Sequence, residues 1–190
     1  MNGQRRKGIE RLANGIIEIN IQKLPPIQII DKIMMQHNIL FRGIPESEEF
    51  CGIFFEKGNK KGIIVNSNLY SRRKNFTIAH ELGHYFLDHP LGEAGVILCD
   101  QNAVFGKDKP EIEKEADYFA ACLLMPRALV LKRIEYIKNS NTRVSFPINN
   151  FNQLKSEVTE PLSEYFQVSK EAMGYRLDEI CKVKKRIFLC

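Results

Sequence analysis

The sequence predicts an α+β fold in which a small β-sheet packs against helices, with a helical segment at the C-terminal end. Short strand-like runs (ILFRGI, FCGIFFE and GIIVN) follow one another between residues 39 and 66 with no helix among them, so strands segregate instead of alternating with helices. Helical periodicity flanks them on both sides. The size and balance of the chain, 190 residues with 44% apolar and 27% charged, suit one ordinary domain with a small appendage. They exclude collagen-like, coiled-coil and wholly disordered chains.

Each element has its own signal. Ile9, Leu12, Ala13, Ile16 and Ile17 recur at helical spacing in the first twenty residues. Pro25 and Pro26 open a second amphipathic helix through IQIIDKIMMQH. The runs FCGIFFE and GIIVN are joined by KGNKK, a hairpin turn. From Ser71 the period turns helical through FTIAHELGHYFLDH, ending before Pro90, and Leu91 to Lys109 reads as a loop with three glycines. EIEKEADYFAACLLM is an amphipathic helix stopped by Pro126, and ALVLKRIEYIK continues as another. The polar stretch from Asn139 to Asn150 is the expected boundary, giving a domain over 1–138 and a helical segment over 151–190. Within that segment FNQLKSEV and PLSEYFQVSKEAMGYRLDEI read as helices.

Residues 1–126 hold 16 Lys+Arg and 16 Asp+Glu, whereas residues 127–190 hold 12 and 7, so the whole net charge of +5 lies in the last third. A basic segment behind a neutral body points to nucleic acid, to an acidic partner or to a solvated face. The five cysteines are odd in number, scattered and never in CxxC spacing, which is the usage of reduced thiols in a cytoplasmic protein. No apolar run suits a membrane span, and the basic N-terminus lacks the apolar core and cleavage site of a leader, so neither a membrane nor a secretory route is expected.

One pentapeptide dominates the chemistry: His80-Glu81-Leu82-Gly83-His84, an HExxH. At about 100° per helical residue His80 and His84 fall one turn apart, so both imidazoles can ligate one ion while Glu81 reaches a water beside it. Ile78, Ala79, Leu82 and Phe86 lie on the opposite side and anchor the helix. Gly83 in mid-helix costs roughly 1 kcal/mol relative to Ala, which suggests a close approach by another backbone.

A hydrolytic zinc site takes three protein ligands and keeps one position for water. His89, on a continuing helix, would point about 160° away from the midpoint of the two histidines. Asp88 lies on their side and suits an outer hydrogen-bond acceptor. Cys99 is a further candidate. The acidic start of the later helix offers Glu111, Glu113 and Glu115, and amphipathicity does not choose between the last two. Asp117 does: in ExxxD spacing Glu113 can bind the ion while Asp117 accepts the other ring N–H of His80.

FTIAHELGHYFLDH, followed by EIEKEADYFAACLLMP and preceded by GIIVNSN, resembles the ImmA/IrrE family of bacterial zinc metallopeptidases from roughly Leu24 to Arg127. The resemblance implies a zincin-like fold, His80, His84 and Glu113 as ligands, and Glu81 as catalytic base. It also implies a protein substrate, typically a transcriptional repressor of mobile-element or stress-response genes. The ion implied is Zn²⁺, although a His₂Glu set also accepts others such as Mn²⁺. Tyr85 and His89 are candidate contacts to the oxyanion or substrate. The strand Ile63, Ile64, Val65 and Asn66 is expected to hold an extended substrate on an exposed edge. A non-catalytic antirepressor, or a DNA-binding regulator with a structural ion, is the competing class; an intact Glu81 favours the enzyme.

In the C-terminal segment Leu162, Phe166, Val168, Met173 and Leu177 are spaced as in a helix-turn-helix with its turn at Gln167. Lys170, Tyr175 and Arg176 are the candidate DNA contacts, with KVKKR (182–186) for phosphates. The missing turn glycine and Glu171 argue instead for a helical hairpin with a protein-docking or purely structural role.

Overall fold

A computed structural model describes residues 1–20, 26–92, 94–100, 109–140 and 151–182. It resolves into two compact units, Met1–Leu124 and Met125–Cys190. The division falls at the end of the EIEKEADYFAACLLM helix, so the helix after Pro126 groups with the C-terminal helices. Residues 141–150, most of the polar stretch expected as the boundary, lie outside the described residues.

In the first unit, α1 (Gly3–Asn20) is followed by a single 3₁₀ turn (Pro26–Ile29) and the short α2 (Ile30–Gln36), which packs on β1. Three strands follow: β1 (Ile39–Ile44), β2 (Phe50–Lys57) and β3 (Lys60–Asn66). Then come α3 (Ser71–Phe86), β4 (Val96–Asp100) and α4 (Glu111–Leu124). The sheet order is β1-β3-β2-β4, with β1 parallel to β3 and the other pairs antiparallel. β2 and β3 form the expected hairpin, its turn carried by Gly58 at φ 60°.

Two expectations change here. The region after Pro90 contains a strand, β4, built from a short apolar run with no alternation to distinguish it from loop. And β3 is an inner strand, paired through Ile63 with Phe41 on one side and Phe54 on the other. Its edges are both used, so Ile63, Ile64 and Val65 offer no free edge to a substrate. Asn66 is fully buried and structural: its amide donates to the carbonyls of Glu46, Ser47 and Phe50, and its oxygen accepts from the N–H groups of Glu46 and Asn68.

α3 lies against β2 and β3 and is flanked by α4, which in turn packs on α1. The core joins Ile63, Val65 and Phe54 of the sheet to Ala79 and Leu82 of α3 and to Ala116, Phe119 and Leu123 of α4. Gly83 sets the spacing between the two helices. A Cβ at that position would lie 3.0 Å from the Ala116 Cα and 3.1 Å from its carbonyl oxygen, so the close approach expected from the sequence is real.

The second unit holds α5 (Arg127–Ser140), α6 (Phe151–Phe166) and α7 (Lys170–Lys182), with α6 packed on both neighbours. α6 is one helix containing Pro161, where the sequence suggested a break. Pro161 removes only its own backbone N–H bond, and the buried stripe Leu154, Val158, Leu162 and Phe166 runs through it unbroken. The turn into α7 is the expected one: Gln167 adopts φ 55° without glycine, and the Ser169 hydroxyl caps α7 by accepting from the Ala172 N–H at 3.1 Å.

Arg176 does not face solvent. It is 2% exposed, and donates to the Met125 carbonyl at 3.0 Å and to Glu179 at 2.8 Å. An arginine spent on holding α7 cannot read DNA, which corrects that expectation. Tyr175 is well exposed, while exposed Lys170 pairs with Glu160 at 2.7 Å. Most of the KVKKR run lies outside the described residues.

Candidate metal centre

α3 carries His80 and His84 towards α4, with Glu81 beside Gly52 of β2, and α4 presents Glu113 from its first turn. All four are buried. One donor atom from each of His80, His84 and Glu113 lies within 4.8 Å of the others. The two Nε2 atoms are 3.0 Å apart, and Glu113 reaches His80 Nε2 at 3.1 Å and His84 Nε2 at 3.3 Å.

The outer contacts fix which nitrogens face inward. His80 Nδ1 lies 2.9 Å from Asp117 Oδ1, an oxygen that can only accept, so the proton sits on Nδ1 and the Nε2 lone pair points into the cluster. Asp117 also pairs with the largely buried Lys109. Burial alone would raise the Asp117 carboxyl. The hydrogen bond and charge of His80, together with Lys109, outweigh it and hold Asp117 below the usual range. Burial, reinforced by the neighbouring His80, His89 and Lys109 charges, pushes His84 down to about 2, so its ring is neutral.

This donor set fits a divalent cation. Three electron-pair donors converge on one another, an arrangement that repels itself unless a proton or a cation lies between them, and two imidazoles with a carboxylate are a borderline-soft set suited to zinc. Glu81 adds a second sign. It is fully buried, and neither carboxylate oxygen meets hydrogen-bond geometry with any described group. Burial pushes its pKa up to about 8; the His80 charge lowers it, Glu113 raises it, and the nearby Phe54 N–H lowers it slightly. Glu81 Oε1 would lie 3.0 Å from a Cβ at Gly52 of β2, so a residue without a side chain leaves room for the carboxylate. A buried carboxylate with no partner is costly unless a water or ligand completes it.

The remaining candidates separate clearly. α3 ends at Phe86 and Asp88 turns the chain at φ 52°, so the helix does not continue to His89. His89 therefore folds back against the site instead of pointing away. It is 7% exposed, with Nδ1 at 2.9 Å from His84 Nδ1 and Nε2 at 3.3 Å from Glu115 Oε2. Both ring nitrogens are engaged, leaving neither for an oxyanion. Asp88 is exposed and holds neither ligand histidine, since Asp117 and His89 fill those places.

Tyr85 packs its ring on Phe54 and Phe86, and its hydroxyl is held by Lys61 Nζ at 2.8 Å and His37 Nδ1 at 3.2 Å. A cleft of about 420 Å³ opens on His84 between Phe54, Tyr85, Pro90 and Leu91, with carboxylates from Glu56 and Asp88. The structural roles of His89, Glu115 and Arg5 escaped the sequence reading. Pro90 was the available signal, because a residue preceding proline is pushed out of helical conformation.

An α+β scaffold that sets a buried HExxH helix against a second helix bearing a glutamate defines a zincin-like fold. The chain matches the Peptidase_M78 family, described as the IrrE N-terminal-like domain, over residues 23–178, and it belongs to that family. It is also 29% identical over 126 residues to "Metallopeptidase ImmA" of Bacillus subtilis (strain 168), an alignment covering 66% of this chain and 60% of that relative. Membership implies a divalent metal, for which His80, His84 and Glu113 form a candidate site. No helix among the described residues is long and apolar enough to cross a membrane.

Proposed function

We propose that this protein is a zinc-dependent endopeptidase with His80, His84 and Glu113 as ligands and Glu81 as general base. The carrying observation is Glu81: a buried carboxylate without a partner, beside three converging donors, is what a structural ion site has no use for. A divalent cation bound there supplies Lewis acidity to a water and to the scissile carbonyl. Glu81 then takes the proton of the attacking water and returns it to the departing amine. Asp117 holds His80 in the tautomer that presents Nε2. The cleft beside His84 takes a substrate side chain. Of the two sheet edges, β4 borders β2, whose Phe54 walls that cleft, and an extended substrate adds there.

The proposed substrate is a DNA-binding repressor in the cytoplasm, the expectation that follows from the family resemblance. Wild type and Glu81→Gln are incubated with the repressor encoded beside this gene, with one equivalent of zinc. Cleavage by wild type, reduced at least ~100-fold in Glu81→Gln with zinc content unchanged, is expected. Equal release of the repressor from DNA by both proteins, with neither cutting it, would mean a non-catalytic antirepressor.

A further inference from the structure

The contacts of His84 continue outward in one line to the first helix. Arg5 of α1 donates twice to Glu115, from Nε to Oε1 at 2.8 Å and from Nη2 to Oε2 at 2.6 Å. Glu115 Oε2 faces His89 Nε2, and His89 Nδ1 faces His84 Nδ1. With both imidazoles neutral, only one proton arrangement satisfies this line. A guanidinium only donates and a carboxylate only accepts, so His89 must carry its proton on Nε2 to donate to Glu115. Its Nδ1 is then bare and accepts the Nδ1 proton of His84. His84 is left with its lone pair on Nε2, the atom that faces His80 and Glu113.

We propose that His89 is a positioning residue that fixes the tautomer and ring orientation of His84, and that Glu115 and Arg5 lock it, making α1 a working part of the metal centre. The inference rests on the metal-site reading above and adds to it three residues from outside the HExxH helix. His89 and Glu115 are buried, whereas the Arg5 side chain is 45% exposed, so Arg5 can be replaced without opening the core.

The test measures zinc affinity by competition with a chromophoric chelator, the d–d spectrum of the cobalt form, and the melting midpoint of the metal-free protein. Four full-length variants are compared: His89→Ala, His89→Gln, Arg5→Ala and the double Arg5→Ala/His89→Ala. Loss of an outer partner weakens metal binding by ~10–100-fold, so His89→Ala is expected in that range. Arg5→Ala is expected to lose roughly threefold, and the double variant no more than His89→Ala alone, because both act through one line. His89→Gln, whose amide oxygen can accept from His84, should recover most of the affinity and the wild-type cobalt spectrum. Unchanged affinity in His89→Ala, or a loss in His89→Gln equal to that in His89→Ala, overturns the proposal. If His89→Ala does not fold, Arg5→Ala and His89→Gln decide the matter by the same criteria, and an Arg5→Ala protein with wild-type affinity removes α1 from the site. Failure of the wild-type protein to bind zinc tightly would instead reject the metal-site reading itself.

Discussion

His80 and His84 stand one turn apart on α3, yet the two sides of the site hold them by opposite means. His80 gives its outer proton to a carboxylate, Asp117, which is itself neutralised by Lys109. His84 gives its outer proton to a neutral imidazole, His89, and negative charge enters only one residue further out, at Glu115. A charge-assisted hydrogen bond is roughly twice as strong as a neutral one, so the His80 side is the stiffer and the more electron-rich. The His84 side borders the open cleft, where a weaker hold accompanies access. The lesson is that one helical motif supplies two equivalent ligands, and the surrounding chain makes them unequal.

The largest expected effect comes from removing the charged side. Asp117→Ala deletes the acceptor of His80 and the counter-charge of Lys109 together, and should weaken metal binding by ~100-fold while lowering stability by on the order of 2 kcal/mol. Asp117→Asn, which keeps an oxygen but not the charge, should fall between, and metal titration with thermal melts distinguishes them. If Asp117→Ala costs less affinity than His89→Ala, the ranking of the two sides is reversed.

Glu81 lies between the two sides and gives the next largest effect, read on the metal-free protein. Its folded pKa of about 8 stands above its unfolded value of 4.5, so the folded state holds a proton that the unfolded state releases between these values. Its contribution is therefore fully present at low pH and is lost as pH rises from about 4.5 through about 8. Glu81→Gln removes that loss. At pH 9 the variant should melt roughly 4–8 °C above wild type, corresponding to about 2 kcal/mol for relief of an unpaired buried charge, with the gap closing towards pH 4. A gap independent of pH contradicts the assignment.

The smallest effect tests what the two sides share. Gly83→Ala pushes a methyl against the Ala116 backbone and moves α4, with Glu113, away from both histidines. Helix propensity returns roughly 1 kcal/mol, so the net loss of stability should be only about 1 kcal/mol, with a severalfold loss of metal affinity exposing the displacement. A protein that is more stable and binds metal normally would show that the helices can part without harm.

The legibility of these features in the sequence follows from their range. The HExxH pair, the Glu113–Asp117 spacing and the anchoring face of α3 are set by helical geometry within a few residues, so the pattern exposes them. Gly83 announced a close approach, though not that Ala116 would make it. The position of His89 depends on where α3 ends, a matter settled by Asp88 at positive φ and by Pro90, not by periodicity. The inner position of β3 is not legible locally, because strand order is a non-local property: β1 pairs beside it in parallel, and β4 pairs beyond β2. Arg176 has the sequence signature of a surface cation because its partner carbonyl, at Met125, lies far away in sequence. Pro161 has the sequence signature of a helix start, whereas packing of its helix overrides the loss of one backbone bond.

A divalent ion shared by His80, His84 and Glu113 would underlie each of these effects. Elemental analysis of wild type and Glu113→Ala, purified without added metal and dialysed against a weak chelator, tests this directly. About one divalent ion per chain in wild type and well under a tenth of that in the variant is the predicted result. Equal metal content in the two proteins, with the variant folded, would contradict it.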